Sequence, residues 1–185
     1  NLTNTATLFY TDGDDVPQTL EDTADINIVE PQVALEKAIG TATTTVEIGS
    51  IVTYTLTLEH TAQSTTNAYD LIVTDVLPTE VGAVVVNYTT LDTAASTCDD
   101  GGRTLTDSYT APTITFTLSS LDMPDTCTIV YTVTVNANAL EGETYSNLTQ
   151  VASVTTIPGS DPEERIERPT PTDSTDFTVS TATID

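Results

Sequence analysis

At positions 51–58 the chain reads Ile51-Val52-Thr53-Tyr54-Thr55-Leu56-Thr57-Leu58. Apolar side chains occupy the even positions of this stretch, and Thr occupies most of the odd ones. The same alternation runs through 113–118, and it continues from Cys127 along the odd positions to Val135. A period of two residues with one apolar face is typical of antiparallel strands that are buried on one side. These segments therefore predict an all-β protein.

The alternating segments recur at short intervals along the chain. We expect strands near 33–39, 51–59, 69–77, 82–91, 113–118, 127–137, 144–156 and 175–184. Turn-forming clusters such as Asp99-Asp100-Gly101-Gly102 separate some of them. Seven or eight short strands with this spacing predict an immunoglobulin-like antiparallel β-sandwich.

The charge of the chain is strongly one-sided, with 28 acidic and 4 basic side chains among 185 residues and a formal net charge of −24. Such a surface repels phosphate, which excludes nucleic acid as a partner and favours divalent cations. The longest apolar runs are short, as in Val84-Val85-Val86, so we expect no membrane insertion in this segment. With 42 Thr, one Lys and no Trp, the composition favours an extracellular protein of the cell surface.

Two cysteines, Cys98 and Cys127, are present. An even number of cysteines in an extracellular chain favours a disulfide, so we expect these two to be bonded. Cys127 begins an inward-facing series and Cys98 lies in a loop rich in Gly and Asp, so the bond would tie a loop to a core strand. Two free buried thiols are the alternative.

An internal repeat sets the expected domain boundaries. Residues 1–8 and 147–154 both begin Asn-Leu-Thr, and each is followed by an acidic, Pro-containing loop and a second strand. The similarity predicts that residues 1–30 are the terminal hairpin of a preceding repeat, or a donor segment, and that residues 31–185 form one complete domain. Chance similarity between two Thr-rich hairpins is the alternative.

Several motifs carry a resemblance to a known family. Gly49-Ser50-Ile51-Val52-Thr53-Tyr54 is followed by Thr74-Asp75-Val76-Leu77-Pro78, and the N-terminal hairpin carries Asn4-Thr5-Ala6. This order resembles the prokaryotic surface repeat called domain of unknown function eleven, which is immunoglobulin-like and related to isopeptide-forming pilins. The resemblance spans residues 33–154. It implies tandem arrays in adhesin-like and envelope proteins, and hence a spacer or filament role.

Lys37 and Asp75 are the candidate residues for buried chemistry. Lys37 shares its parity with Val33 and Ile39, and Asp75 shares its parity with Val73, so both side chains should point into the sandwich. A buried ammonium group is costly unless it is paired or loses its proton. The sequence therefore predicts that Lys37 and Asp75 interact in the core.

The resemblance suggests a third member for this site. Pilin-type domains use a Lys, an acid and an Asn, whose carboxamide the neutral amine attacks to form an isopeptide bond with loss of ammonia. The position that matches Asn4 of the repeat is Gln150, so we expect a noncovalent buried trio of Lys37, Asp75 and Gln150. An isopeptide bond is one alternative, with Asn147 nearby on the opposite parity, and an exposed Lys37 is the other.

Two further groups of residues are candidate sites. Asp12, Asp14 and Asp15 resemble half of a calcium loop, which makes calcium the one candidate cofactor, although a solvated hairpin turn explains the same residues. Asn-x-Thr sequons begin at three positions and are candidate glycosylation sites in a host that glycosylates. These positions are Asn1, Asn87 and Asn147.

The sequence carries no pattern typical of a catalytic site. There is no Gly-rich phosphate loop and no Cys/His metal set, so we do not expect an enzyme. We expect a structural repeat of an extracellular surface fibre, stalk or sheath, whose partners are adjacent copies of itself or adjacent repeats in one chain. The alternative is a calcium-dependent adhesive module that binds a glycan or a protein.

Overall fold

The computed structural model describes residues 2–40, 44–98, 102–160 and 171–181. Every regular element in these ranges is a strand, which confirms the all-β prediction. In chain order the described strands are β1 (Leu2–Thr11), β2 (Pro17–Ile26), β3 (Val33–Ile39), β4 (Thr45–Val46), β5 (Ile51–His60), β6 (Ala68–Val76), β7 (Thr79–Glu80), β8 (Ala83–Val84), β9 (Val86–Leu91), β10 (Leu105–Thr110), β11 (Thr113–Leu121), β12 (Thr126–Val135), β13 (Thr144–Thr155) and β14 (Thr172–Val179).

Two sheets form the sandwich. The first has the strand order β3-β5-β12-β9 and the second has the order β10-β11-β6-β13-β14-β4. In the first sheet β3, β5, β12 and β9 take the places of strands A, B, E and D of an immunoglobulin domain, and in the second β6, β13 and β14 take those of C, F and G. The short β4 pairs in parallel with β14, and the other strand pairs are antiparallel. The predicted immunoglobulin-like sandwich is confirmed.

The core lies between the two sheets and follows the alternation that predicted it. Along β5 the side chains at 52, 54, 56 and 58 are buried, while the intervening Thr side chains are more exposed. Tyr131 of β12 is central, because its ring centroid lies 5.3 Å from that of Tyr54 and 5.2 Å from that of Phe116 in the other sheet. Aromatic pairs at such distances add stabilisation beyond the burial of apolar area.

The sandwich has two ends, which we call the proximal and distal poles. At the proximal pole Val33 pairs with His60, and the loop 61–67 leads to the start of β6. At the distal pole the Gly49 amide donates to the carbonyl of Val135 (2.8 Å), and the Ser180 amide donates to the carbonyl of Val46 (2.8 Å). Strand β3 therefore starts at the proximal pole, and β14 ends at the distal pole.

The structure departs from the predicted strands in three places. Strands β4 and β10 were not expected, because β4 is two residues long and only Leu105 of β10 is buried. The segment 82–91 is interrupted, since β8 turns back on β7 before β9 begins. Strand β14 begins at Thr172 rather than 175, because its first half is polar on both faces. The last predicted residues, 182–184, lie outside the described ranges.

Strands β1 and β2 form a separate hairpin. Their register runs from Leu2 opposite Ile26 to Thr11 opposite Pro17, and within the described residues they form a sheet of their own. Directly opposed residues share a face, so Leu2, Leu8, Leu20 and Ile26 lie together on one side. Nearly every residue of the hairpin is exposed, which leaves this apolar face uncovered.

The structure joins Cys98 and Cys127 by a disulfide, with both residues fully buried. Cys127 lies near the start of β12, and the Cys98 amide donates to the carbonyl of Thr128 (3.3 Å). The bond therefore attaches the segment that follows β9 to the first residues of β12.

We expect the double variant Cys98→Ala, Cys127→Ala to lower the free energy of unfolding by roughly 3 kcal/mol, because the bond closes a loop with a sequence separation of 29 residues. Urea unfolding of the wild type and the variant measures the difference. Equal midpoints for the two proteins would contradict this expectation.

Candidate functional site

A cluster of polar side chains lies in the apolar core where the two sheets face each other. Lys37 comes from β3, Asp75 from β6, Tyr131 from β12 and Thr149 from β13, so four strands contribute to it. The Lys37 ammonium donates to Asp75 Oδ2 and to Thr149 Oγ1, the latter at 2.7 Å. The hydroxyls of Thr149 and Tyr131 also donate to Asp75 Oδ2, Tyr131 at 2.8 Å. We call these four residues the Lys37 cluster.

Burial controls the electrostatics of this cluster. Desolvation lowers the pKa of Lys37 from 10.5 to about 8, although the charge of Asp75 opposes the shift. Desolvation and the Asp75 carboxylate together raise the pKa of the Tyr131 hydroxyl well above its ordinary value. The amine also lies 4.8 Å from the ring centroid of Tyr54, where the aromatic face favours a cation. Lys37 therefore loses its proton at a lower pH than a surface lysine does.

The structure corrects the expected third member of the site. Gln150 is exposed, whereas Asn147 and Thr149 are completely buried. The prediction was wrong because it extended the parity of Val154 back along β13. The pairing of β13 with β6 shifts register between Val151 and Ser153 and again before Thr155, and each irregularity changes which face a side chain occupies.

Asn147 joins the cluster at its edge. Its Nδ2 donates to the Tyr131 hydroxyl (3.3 Å), which in turn donates to Asp75, so hydrogen bonds connect Asn147 to the carboxylate through one hydroxyl. Within the described part of the chain, Asp75 Oδ1 and Asn147 Oδ1 are buried without a hydrogen-bond partner. Each such atom costs about 1–3 kcal/mol, so the cluster does not simply maximise stability.

The strand that carries Lys37 is also held from outside. The Lys37 backbone amide donates to Asp173 Oδ2 of β14 (2.6 Å). Because β3 is an edge strand, no neighbouring strand of its sheet can accept this amide on that side, and the Asp173 carboxylate accepts it instead. Lys37 therefore connects β3 to the second sheet twice, once through its side chain and once through its backbone.

His60 contacts a potential nucleophile that sequence analysis did not find. Its Nδ1 lies 2.7 Å from Ser64 Oγ, and its Nε2 lies 2.8 Å from the carbonyl oxygen of Leu121. A carbonyl can only accept, so Nε2 carries a proton directed at the backbone, where a catalytic triad would place a carboxylate. Ser64 Oγ also accepts the Gln32 amide (3.0 Å). The pair therefore fastens loops together at the proximal pole.

The candidate calcium ligands lie in a hairpin turn. Asp12 Oδ1 accepts the backbone amides of Asp14 and Val16 at 3.1 and 3.0 Å, and its Oδ2 accepts Gln18 Nε2 at 2.7 Å. These hydrogen bonds lower the pKa of Asp12 and occupy both of its oxygens. Asp15 has φ 58°, in the left-handed region that such turns use. In the described ranges no group of three or more acidic, His or Cys side chains is placed to hold a metal ion, so Asp12, Asp14 and Asp15 are better explained by the turn.

The three sequons have different surroundings. Asn87 is exposed on β9, and its Oδ1 accepts a hydrogen bond from Asn136 Nδ2 (3.1 Å). Asn147 is completely buried in the core, which corrects its assignment as a glycosylation site, because a glycan needs an exposed side chain. Asn1 lies outside the described residues. Asn87 therefore stays the predicted site.

No known protein family matches the chain, and no curated protein matches it in sequence. The resemblance to the prokaryotic surface repeat therefore stays a prediction that rests on the motifs themselves. In the described part of the chain, no helix is long and apolar enough to span a membrane.

Solved structures resemble the chain only distantly. A cohesin module from a family 33 glycoside hydrolase of Clostridium perfringens has 10% identity and a TM-score of 0.48, covering 80% of this chain and 98% of the module. The major pilin subunit BcpA of Bacillus cereus has 12% identity and a TM-score of 0.47, covering 94% of this chain and 47% of the pilin. AvmM, which catalyses macrocyclization in alchivemycin A biosynthesis, has 8% identity and a TM-score of 0.46, covering 82% and 91% of the two chains. These values are too low to transfer a function.

We expect Asp75→Ala to destabilise the fold by roughly 3–5 kcal/mol, because it leaves the Lys37 ammonium buried without its counter-ion. Lys37→Met should cost less, since Asp75 keeps the hydroxyl donors of Thr149 and Tyr131. The control is Glu36→Gln, an exposed neighbour on the opposite face of β3, which should change the free energy of unfolding by no more than about 0.5 kcal/mol. Urea unfolding measures all three.

The intact mass of the folded chain tests whether the cluster is noncovalent. A noncovalent cluster leaves the mass equal to that of the sequence, less the two hydrogens of the disulfide and plus any glycan. Loss of one further ammonia would show an amide between Lys37 and the Asn147 side chain, and the noncovalent description would then be wrong.

The stability of the protein should rise with pH between about 8 and 10. The folded pKa of Lys37 is about 8 and the unfolded value is 10.5, so in this window the unfolded state binds more protons and the free energy of unfolding increases with pH. Above about pH 10 the buried tyrosines oppose the rise, because they ionise only on unfolding. Urea unfolding at pH 7, 8, 9 and 10 measures the slope. Lys37→Met should abolish it, and an equal slope in the variant would exclude Lys37 as its source.

Proposed function

We propose that the chain is a structural repeat of an extracellular cell-surface fibre, stalk or sheath, built as a linear array of β-sandwich beads. The observation that carries the proposal is the placement of the chain ends on the sandwich. Strand β3 starts at the proximal pole and β14 ends at the distal pole, so consecutive beads follow one another along a single axis. A heterologous contact of this kind, repeated from copy to copy, produces an open filament.

The hairpin supplies the second part of the proposal. We propose that residues 1–30 belong functionally to a neighbouring bead, while residues 31–185 form their own. The exposed apolar face of β1 and β2 supports this, because an isolated two-stranded sheet is marginally stable and needs a surface to cover it. The partner is an adjacent copy if the beads are separate chains, or an adjacent repeat if they are one polypeptide.

The core supports a mechanical rather than a catalytic role. The Lys37 cluster is buried between the sheets, so no substrate reaches it, and the disulfide fastens a segment to the edge of β12. Both features join parts of the chain that are far apart in sequence. The extracellular location is part of the same proposal, and the disulfide favours it because such bonds persist in oxidising compartments.

Deletion of residues 1–26 should separate folding from assembly. We expect the truncated chain to keep the urea midpoint of the full chain, because in the structure the hairpin forms a sheet of its own. We expect the full chain to associate as its concentration is raised, and the truncated chain not to, as measured by sedimentation velocity and electron microscopy. The control is Thr7→Ser on the polar face of the hairpin, which should assemble like the wild type. Filaments of the truncated chain would contradict the proposal.

A further inference from the structure

We propose that the apolar face of the β1–β2 hairpin docks on the distal pole of a second copy of this chain. The inference rests on the proposed linear array and names the surfaces through which neighbouring beads meet. It follows from where the exposed apolar side chains lie, from the conformation of one residue at the distal pole, and from the length of the segment between hairpin and sandwich.

Exposed large apolar side chains are concentrated in two regions of the described chain. Nine of the seventeen lie in the hairpin and the segment after it, and six lie toward the distal pole. The six form what we call the distal patch: Ile48, Ile51, Val76, Val81, Leu140 and Leu148. The other two are Tyr109, which lies level with Asp75 at the edge of the second sheet and packs against Tyr88 of the first, and Met123, in the turn before β12. A contiguous exposed apolar surface rimmed by polar residues marks an interaction site.

The distal patch is held together by contacts between its loops. The Tyr145 hydroxyl accepts the Leu140 amide (2.9 Å) and donates to Glu80 Oε2 (3.4 Å), which brings Leu140 beside the turn that carries Val81. Val76 and Leu148 are direct cross-strand partners on the outer face of the second sheet. These contacts bring Leu140 near Val81 and pair Val76 with Leu148, and the Gly49–Val135 hydrogen bond places Ile48 and Ile51 at the end of β12.

Val81 combines an exposed apolar side chain with an unfavourable backbone conformation. It lies in the tight turn between β7 and β8 with φ 48°, in the left-handed region that β-branched residues rarely adopt. Its side chain is 97% exposed, so burial within its own chain gives nothing in return. Strained residues of this kind cluster at binding sites, where a partner covers them. We infer that Val81 is the anchor of the distal patch.

The hairpin face has the matching properties. Leu2, Leu8, Tyr10, Leu20 and Ile26 lie on one side of the hairpin, each with between 49% and 62% of its surface exposed. The opposite face is formed mostly by Thr, Asp and Glu side chains, as in the pair Thr3–Asp25, whose hydroxyl and carboxylate are 2.6 Å apart, but it also carries Phe9, which is 76% exposed. On the first side, Asp22 is the one charged side chain of the two strands, opposite Ala6. The first side therefore presents more apolar side chains than the second, which is mostly polar.

A short connection directs the hairpin to a second copy. Glu30 is fixed at the proximal pole, where its amide donates to Thr65 Oγ1 (2.8 Å) and its carbonyl accepts the Thr65 amide (2.9 Å). Four residue steps separate Ile26 from Glu30, a reach of roughly 14 Å at full extension. Strand β5 is ten residues long, or about 33 Å, so the base of the hairpin stays near the proximal pole of its own sandwich. The hairpin is as long as β5, but among the described strands it pairs with none of the sandwich and its apolar face is exposed, so that face is left for a second copy.

The charges predict how this contact responds to salt. Asp22 lies on the apolar side of the hairpin, with Glu21 and Asp25 on the opposite side, and Glu47 and Glu143 lie close to patch residues in the sequence. The two surfaces repel each other at low ionic strength, and at about 0.15 M salt the screening length falls to about 8 Å. The association should therefore strengthen as salt is added, which is the behaviour of an apolar contact between like charges.

Photo-crosslinking tests the docking site directly. A photoreactive amino acid replaces Leu20 on the apolar face of the hairpin, and isotope-labelled and unlabelled chains are mixed at high concentration and high salt. We expect mixed-isotope crosslinks to peptides that contain Val81 or Leu140. The control places the same group at Thr23, which lies opposite Thr5 on the other face, where these crosslinks should be absent. Crosslinks to β9 or β10 within an intact array would overturn the docking site and leave the array standing.

Substitution of the anchor provides the second measurement. Val81→Asn removes the apolar side chain and suits the left-handed turn, so the variant should fold at least as well as the wild type. We expect its self-association, measured by sedimentation, to be weaker by roughly fivefold or more. Met123→Thr, an exposed apolar residue away from the patch, should associate like the wild type. Unchanged association of Val81→Asn would overturn the docking site, and absence of association in the wild type at any salt would overturn the linear array as well.

Discussion

A buried positive charge constrains this sandwich more than any other single feature. The Lys37 ammonium is contributed by the first strand of one sheet, and Asp75 and Thr149, which accept its hydrogen bonds, are contributed by the other. An ion in an apolar core costs several kcal/mol unless its partner is in the correct place. The two sheets can therefore pack in the observed register, where the ammonium meets its carboxylate, and are penalised in registers that separate them. We infer that the pair contributes specificity more than net stability.

The hydroxyl groups around Asp75 extend this constraint to the rest of the core. Tyr131 stacks on Tyr54 and packs against Phe116, and the same side chain donates to Asp75. The aromatic centre and the polar cluster are therefore positioned by one residue. A change in the packing of Tyr131 would alter the surroundings of the carboxylate, and a change at Asp75 would leave a buried hydroxyl without its acceptor.

The sequence was sufficient for the fold and for part of the site. Strands with strict alternation, such as β5 and β12, could be predicted within a residue or two, because each buries a continuous apolar face. The inward direction of Lys37 followed from its apolar neighbours at the same parity. The orientation of Gln150 could not be obtained this way, since the register of β13 shifts between Val151 and Ser153, so the parity of Val154 does not extend back to Gln150. Such irregularities cannot be recognised from the alternation of apolar and polar residues. The contact between His60 and Ser64 could not be predicted either, because it depends on how two loops pack.

The parallel pairing of β4 with β14 has a consequence for the sandwich under load. The Thr178 amide donates to the carbonyl of Thr44 (2.7 Å) and the Ser180 amide donates to that of Val46 (2.8 Å), close to where the chain leaves the distal pole. If the two ends of the bead are pulled apart, β14 is drawn past β4 along the strand direction. These hydrogen bonds lie perpendicular to that direction, so the force loads them in shear. They must then break at the same time, whereas a force along the bonds would break them one after another. In the proposed array, the same arrangement of chain ends that lets beads follow one another would make each bead resist stretching.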